Sequence, residues 1–573
     1  MAGSERRAQV ATRVRFILGA FVLIALLMLV RLYFLQVVYG SEYRLEASDQ
    51  YVSTTSGFYD RGDILMKNKN GVEISAATIK TGYALAIVPE RIEDAAALYG
   101  KLSEIVEIDR DTFLKRAGKV GDTYEEVAHR LTADEAKRIR RLELDVVQLV
   151  PERWRTYPGE TLAAHTIGFV AYEGDEQAGR YGLERYYEDV LGRTGSNLYV
   201  NFFAELFANI RDVVFVPVDK REGNIATTIE PSVQVYLEGV LADVRDKWGS
   251  KFTAGVVIDP QTGAIYAMAV SPSFNLNDFS KANPDTFANP LVERVYEMGS
   301  IVKPLTMAAG LDSGAVTPKT TYYDAGSRTL NGYTFSNYDG KARGTVPMQE
   351  ILSQSLNTGA AFVAERMGKD TFRRYLYRYG VNEETGIDLP NEVRSLTENL
   401  KSPREIEYAT ASFGQGIALT PLATVRALAV LPDGYVEQPH IASEIRSQNG
   451  LSYDLDYEHV REQVLKKETA ETITRMLVEL VDTALLGGTM KLEHYSVAAK
   501  TGTAQIPSPL GGYYDDRFLH SFFGYFPAYD AKFLVFLMNV EPKDVQYASQ
   551  TLTEPFMDVT QFLINHYDIP PDR

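Results

Sequence analysis

Ser300 and Lys303 stand three positions apart in the run Glu297-Met-Gly-Ser300-Ile-Val-Lys303-Pro304, with apolar Val302, Leu305 and Leu311 at helical spacing around and after them. On a helix the two side chains share a face. A serine hydroxyl is a poor nucleophile until a base takes its proton. A lysine can be that base only if burial or a nearby cation lowers its pKa. A serine at a helix N-terminus also has backbone N–H groups at hand for a developing oxyanion. Ser-x-x-Lys alone says little, since a capping serine beside an exposed lysine is the plainer reading.

Two further clusters change that. Ser355-Leu356-Asn357 follows a helical pattern over Met348 to Leu352; alone it reads as a helix–helix turn. Ala499-Lys500-Thr501-Gly502-Thr503-Ala504-Gln505 follows Tyr495 to Ala498, the lead-in to a strand. A glycine inside a strand marks close approach of a backbone or a ligand. Lys500 is placed to supply the cation that depresses Lys303, and Thr501 and Thr503 are placed to bind a carboxylate. Taken in order, about 55 and then about 145 residues apart, the clusters match the Ser-x-x-Lys, Ser-x-Asn and Lys-Thr-Gly set of penicillin-binding proteins and serine β-lactamases.

These clusters need a large scaffold. The chain has 573 residues, enough for two to four units that each bury a core. It is 45% hydrophobic and 24% charged, as folded proteins are. A net charge of −17 argues against a nucleic-acid partner. With no cysteine there is no disulfide, thiolate nucleophile or Cys-ligated metal. His129, His165, His440, His459, His494, His520 and His566 show no His-x-x-x-His-type spacing, and His165 and His520 read as structural.

Near the start, Arg6, Arg7, Arg13 and Arg15 precede an apolar stretch from Phe16 to Val38, interrupted by Arg31. That length suits one tilted transmembrane helix. The arginines place residues 1–15 in the cytoplasm and everything after Val38 outside. The expected anchor is therefore residues 16–38, uncleaved. Residues 46–222 read as a mixed α+β module, with a strand over Tyr83 to Val88 and helices over Glu93 to Leu102 and Ala133 to Leu142. A turn cluster at Arg221 to Asn224 opens residues 223–573. There Ile225 to Ile229 reads as β, Pro231 opens a helix, and Thr253 to Ile258 with Ala264 to Val270 form a hairpin. Helical patterns dominate from about 297 to 430, and Phe522 to Phe526 with Phe533 to Val540 form a last hairpin. Tight hairpins require an antiparallel sheet.

Over nearly its whole length the chain resembles the class B penicillin-binding proteins, the monofunctional transpeptidases of cell elongation or division. The likeness rests on the three clusters, on Arg61-Gly62-Asp63-Ile64-Leu65, and on Tyr157-Pro158-Gly159 through Gly168. It rests also on Gly182-Leu183-Glu184, on Ser412-Phe413-Gly414-Gln415-Gly416 and on Phe523-Gly524-Tyr525-Phe526-Pro527. Asn68-Lys69-Asn70-Gly71 and Glu230 depart from that pattern, and the aromatic stretch 197–216 is foreign to it.

The resemblance implies an α+β pedestal, serving dimerisation or partner binding, followed by an α/β penicillin-binding transpeptidase domain. That domain has a central antiparallel sheet flanked by helices. It implies that Ser300 attacks the penultimate D-Ala of a peptidoglycan stem peptide and that Lys303 takes its proton. Asn357 would hold Lys303 and the substrate amide, and Ser355, tuned by Lys500, would protonate the departing D-Ala. Backbone N–H groups of Ser300 and Thr503 would form the oxyanion hole. Thr501, Gly502 and Thr503 would line the carboxylate site. This chemistry would need no metal and no cofactor, in agreement with the absent cysteines and the histidine spacing, and β-lactams would inhibit it. A membrane glycosyltransferase of the shape, elongation, division and sporulation family would be the partner. Two other classes keep some of these features: a D,D-carboxypeptidase or β-lactamase that passes the acyl group to water, and a non-catalytic scaffold or β-lactam sensor. The long N-terminal module argues against the first and the intact clusters against the second.

Overall fold

The computed structural model describes Met28 and residues 60–173, 176–192, 222–447, 450–457 and 461–573. The tail and anchor expected over residues 1–38, Met28 apart, and the aromatic stretch 197–216 lie outside them. No helix among the described residues is long and apolar enough to cross a membrane.

The C-terminal half is built on five antiparallel strands in the order Ala498–Pro507, Tyr513–Phe526, Phe533–Val540, Phe252–Ile258, Ile265–Ser271. Phe533–Val540 and Phe252–Ile258 are buried at every position. That explains why they read as continuous apolar runs and not as alternating ones. Neighbouring residues of a strand face opposite sides, which fixes the layers. Phe522 stacks on Phe556 of helix Thr553–His566 at 4.4 Å. Tyr525, on the other face, meets Thr474 of helix Lys467–Thr483 at 2.8 Å. Helices therefore cover both faces, and the sheet core is continuous with the helical one.

Pro231–Trp248 is the helix expected to open at Pro231. Glu230 caps it, its carboxylate accepting the Val233 N–H at 2.7 Å. The span 297–430 departs from expectation. Four short strands, Thr321–Asp324, Ser327–Leu330, Tyr333–Ser336 and Gly344–Pro347, interrupt its helices and pair as two antiparallel ladders. Strands of four residues hold too few positions for alternation to outweigh the flanking helical pattern.

The N-terminal module centres on the long strand Glu73–Ile87, flanked by Val147–Thr156, Ile64–Lys67 and Glu125–Leu131. Ile64–Lys67 also runs parallel to Gly223–Thr227, which pairs with Ala442–Ser447. The module and the C-terminal half thus share a sheet. Beside it lies a buried ion network. Glu184, with no exposed surface, accepts from Arg61 Nε and Arg155 Nε, each at 2.6 Å. Glu188 takes a second pair of bonds from the Arg61 guanidinium at 2.8 Å. The two guanidinium groups supply charged donors to the buried Glu184 carboxylate, while Glu188 stays partly exposed. A separate apolar cluster, around Leu102, Phe113 and Ile139, supports the outer part of the module.

Candidate active site

The turn that carries Ser300 is pressed onto the edge strand of the five-stranded sheet. Gly299–Val302 forms a 3₁₀ turn that runs straight into helix Lys303–Asp312. In such a turn residues three apart eclipse one another, which brings Lys303 over Ser300. Gly299 sits at φ +65°, where a Cβ would lie 2.8 Å from the Thr503 carbonyl oxygen. Only glycine allows that approach. Gly502 plays the matching part on the strand: a Cβ there would lie 2.8 Å from the Met298 carbonyl and 2.4 Å from Ser521 Oγ. The close approach expected from a glycine in a strand is therefore an approach to the Ser300 turn. Ser521, on the next strand, donates its hydroxyl to Met298 O at 2.9 Å. Gly299 N–H donates to Gly414 O at 3.0 Å.

Lys303 is 1% exposed, and its Nζ lies 2.9 Å from Ser300 Oγ, 2.5 Å from Ser355 O and 3.1 Å from Ser355 Oγ. Ser355 takes a left-handed backbone, φ 55°, between helices Met348–Ser353 and Asn357–Met367. That turn presents both its carbonyl and its hydroxyl to the lysine. Lys500, 2% exposed, donates to the same Ser355 Oγ at 3.1 Å and to Thr501 O at 2.9 Å. Burial, with the charge of Lys500 adding to it, holds the Lys303 ammonium well below the usual lysine range. Burial brings Lys500 down to about 7. A neutral Lys303 has two N–H groups for the two Ser355 oxygens and one lone pair for the Ser300 proton, which accounts for its three contacts.

Thr501 and Thr503 are half-buried and share a face of the strand. Thr503 Oγ1 accepts the Ala548 N–H at 3.0 Å, which leaves its own proton to donate. Asn357 differs from expectation. Its amide donates to Ser336 O at 2.8 Å, and the bond to Lys303 that the resemblance implies is not formed. Ser355 O takes that place on the lysine. Tyr338, two residues on from Ser336, meets Tyr547 at 5.8 Å in a T-shaped contact. Tyr547 precedes the Ala548 that binds Thr503, so the pair joins the Asn357 side of the site to the Thr503 side.

Sequence reasoning missed several supporting residues. Ser521 lies far from Ser300 in the chain and nothing local marks it; Gly414 lies in the Ser412–Gly416 segment that carries the resemblance, which gives no sign of its bond to Gly299. Glu297, three residues before Ser300, was visible but unassigned. Its carboxylate accepts the Gly416 N–H at 3.0 Å and the Tyr513 hydroxyl at 2.9 and 3.0 Å. Burial raises its pKa. Together these bonds tie the Ser300 turn to the 412–416 loop and to the start of strand Tyr513–Phe526.

Comparison with known proteins agrees with this geometry. The profile of the penicillin binding protein transpeptidase domain matches residues 253–560, and that of the penicillin-binding protein dimerisation domain matches residues 59–201. Stage V sporulation protein D of Bacillus subtilis is 28% identical over 565 residues, covering 96% of this chain and 84% of that protein. A probable peptidoglycan D,D-transpeptidase, PenA, of Neisseria meningitidis is 26% identical, covering 98% of this chain and 94% of that one. The crystal structure of penicillin binding protein 2X from Streptococcus thermophilus superposes with a TM-score of 0.71 at 19% identity, over 90% of this chain and 81% of that one. At that identity the likeness is one of fold. With both profiles in this order along one chain, the protein belongs to the penicillin-binding protein transpeptidase family, as a class B penicillin-binding protein.

Proposed function

We infer that the chain is a serine-type peptidoglycan D,D-transpeptidase. The observation that carries this is the buried chain of contacts from Ser300 Oγ to Lys303 Nζ, Ser355 Oγ and Lys500 Nζ, each step 2.9–3.1 Å. In this reading neutral Lys303 takes the Ser300 proton as Oγ bonds to the carbonyl carbon of the penultimate D-Ala. Backbone N–H groups of Ser300 and Thr503 face the oxyanion, a role supported by the close packing of Gly299 on Thr503. The C–N bond then breaks, and D-Ala leaves with a proton delivered through Ser355, which Lys303 and Lys500 both contact. An amine of a second stem peptide attacks the Ser300 ester. The ester C–O bond breaks, the peptide cross-link forms, and the amine's surplus proton returns through the same groups to Ser300. Thr501 and Thr503 hydroxyls hold the terminal carboxylate beside Gly502, and Asn357 meets the substrate amide from the opposite wall. A β-lactam amide enters the same path and stops at the ester.

The same reading takes residues 46–222 as the pedestal and 223–573 as the transpeptidase domain. It takes 16–38 as a single-pass anchor with residues 1–15 cytoplasmic and the catalytic part outside. A membrane glycosyltransferase of the shape, elongation, division and sporulation family is the partner, contacted through anchor and pedestal. Intact mass of the full-length chain after benzylpenicillin, beside Ser300→Ala, tests the chemistry. A long-lived one-drug adduct on the wild type alone is expected. Rapid drug destruction without an adduct would point to a hydrolase, and neither adduct nor turnover would sink the assignment of Ser300.

A further inference from the structure

Asp324 closes the strand Thr321–Asp324 with no exposed surface, and Arg343, the cation near it, pairs its guanidinium with Asp339 and not with Asp324. Its partners are all neutral donors. Oδ1 accepts the Gly326 N–H at 3.0 Å and the Thr358 hydroxyl at 2.7 Å. The Asn337 amide spans both oxygens at 2.9 and 3.0 Å. A carboxylate only accepts, so it demands a donor at each of these places, and burying it without them would be costly.

What this cluster holds is the start of the helix that bears Asn357. Asn357–Met367 has no side-chain cap from the residue before it. Instead Asn337 Oδ1 accepts the Thr358 N–H at 3.2 Å, one of the first-turn donors that a helix leaves without partners. The flanking residues of Asn337 extend the effect. Ser336 gives its carbonyl to the Asn357 amide at 2.8 Å, and Tyr338 reaches across to Tyr547. Three consecutive residues thus set the Asn357 amide, cap its helix and join the two walls of the site. Asp324 anchors the middle one.

We propose that Asp324, acting through Asn337, is a positioning residue for acylation: it fixes the angle and depth at which Asn357 meets the substrate amide. This rests on the reading of Asn357 as a substrate contact. Neither Asp324 nor Asn337 touches the reacting atoms. The carboxylate is required for its acceptor pattern, because an amide in its place would set an NH₂ group against another donor.

The test is the rate constant of acylation by benzylpenicillin, resolved from the dissociation constant of the encounter complex, on the folded full-length chain. D324N should slow acylation about 10–100-fold, the scale of a small misplacement of a reacting partner, with little change in encounter affinity. N357A should slow it comparably, and D324N/N357A should be no slower than N357A. A general packing defect would add its loss to that of N357A, so the double variant separates the two. Wild-type acylation by D324N beside a slow N357A overturns the proposal, as does full additivity of the two. Wild-type acylation by N357A overturns the reading of Asn357 beneath it. If D324N does not fold, T358V removes one donor to Asp324 and enters the same cycle with the same expectations.

Discussion

Lys500 Nζ lies 3.1 Å from Ser355 Oγ across 145 positions of chain, and the same oxygen lies 3.1 Å from Lys303 Nζ. Two buried amines around one hydroxyl cannot both be charged cheaply. Desolvation and mutual repulsion favour release of a proton from the pair, and that release makes a base out of a lysine. Burial does most of this at Lys303 and the charge of Lys500 adds to it, so a change at Lys500 is felt at Lys303.

The first prediction concerns pH. Acylation should rise with pH as Lys303 loses its proton, because only the neutral amine accepts from Ser300. The charge on Lys500 helps to hold Lys303 down. Lys500→Ala should therefore move the acid limb of the pH–rate profile to higher pH and slow acylation at neutral pH about 100-fold. Stopped-flow acylation by a chromogenic cephalosporin across the pH range measures both. An acid limb that stays in place would refute the electrostatic link.

Ser355→Ala removes the shared hydroxyl but keeps the carbonyl that binds Lys303 at 2.5 Å. Ser300 should still be labelled by benzylpenicillin, at a rate lower by about 10²–10⁴. The alanine must adopt the φ of 55° that the serine already takes, and since the left-handed penalty comes from the Cβ that both residues carry, little change of melting temperature is expected. Mass spectrometry over time separates slow labelling from none.

Gly414→Ala should disable the site without touching any reactive group. A Cβ there would lie 2.2 Å from the Gly299 carbonyl oxygen, on a backbone at φ +79°. The loop must move or the Ser300 turn must, and strain of this kind costs about 1–3 kcal/mol. Acylation should fall at least tenfold while calorimetry shows a folded protein. Wild-type acylation would mean that the Gly299–Gly414 bond does not set the nucleophile.

Glu184→Ala leaves Arg61 and Arg155 buried without the carboxylate that both bind. Removing one member of a buried ion network costs about 3–5 kcal/mol. Urea unfolding should register that loss in the module, while the folded fraction acylates at the wild-type rate. A large fall in acylation per folded molecule would show that the module reports to the catalytic site.

His165 and His520 make acid a threat to the fold. Burial brings each down to about 4 from an ordinary 6.5. His165 faces the Thr286 carbonyl, and His520 lies between Thr551 and the Gln546 carbonyl. Between those values the unfolded chain binds more protons than the folded one, so stability falls as pH falls from about 6.5 to about 4. The loss is roughly 3 kcal/mol for each ring. Melting temperatures of wild type and His520→Gln across that window should converge towards the acid end.

Local order alone made much of this protein legible. The i, i+3 spacing of Ser300 and Lys303, the apolar runs of Phe533–Val540 and Phe252–Ile258, and the proline that opens Pro231–Trp248 are properties of short windows. Periodicity and stereochemistry act within such windows. The order of the three clusters named the chemistry as well. Folding alone decided what lies across space. It set the carbonyl of Ser355, and not Asn357, on Lys303, because a left-handed turn aims that oxygen inward. It explained Gly502 by the Met298 carbonyl on a distant turn. It also joined Asp324 to Asn337 and Thr358 through strands too short to announce themselves. Pairings of that kind depend on register and on which edges meet. No window of sequence contains them, because the groups that satisfy a buried carboxylate come from wherever the chain happens to return.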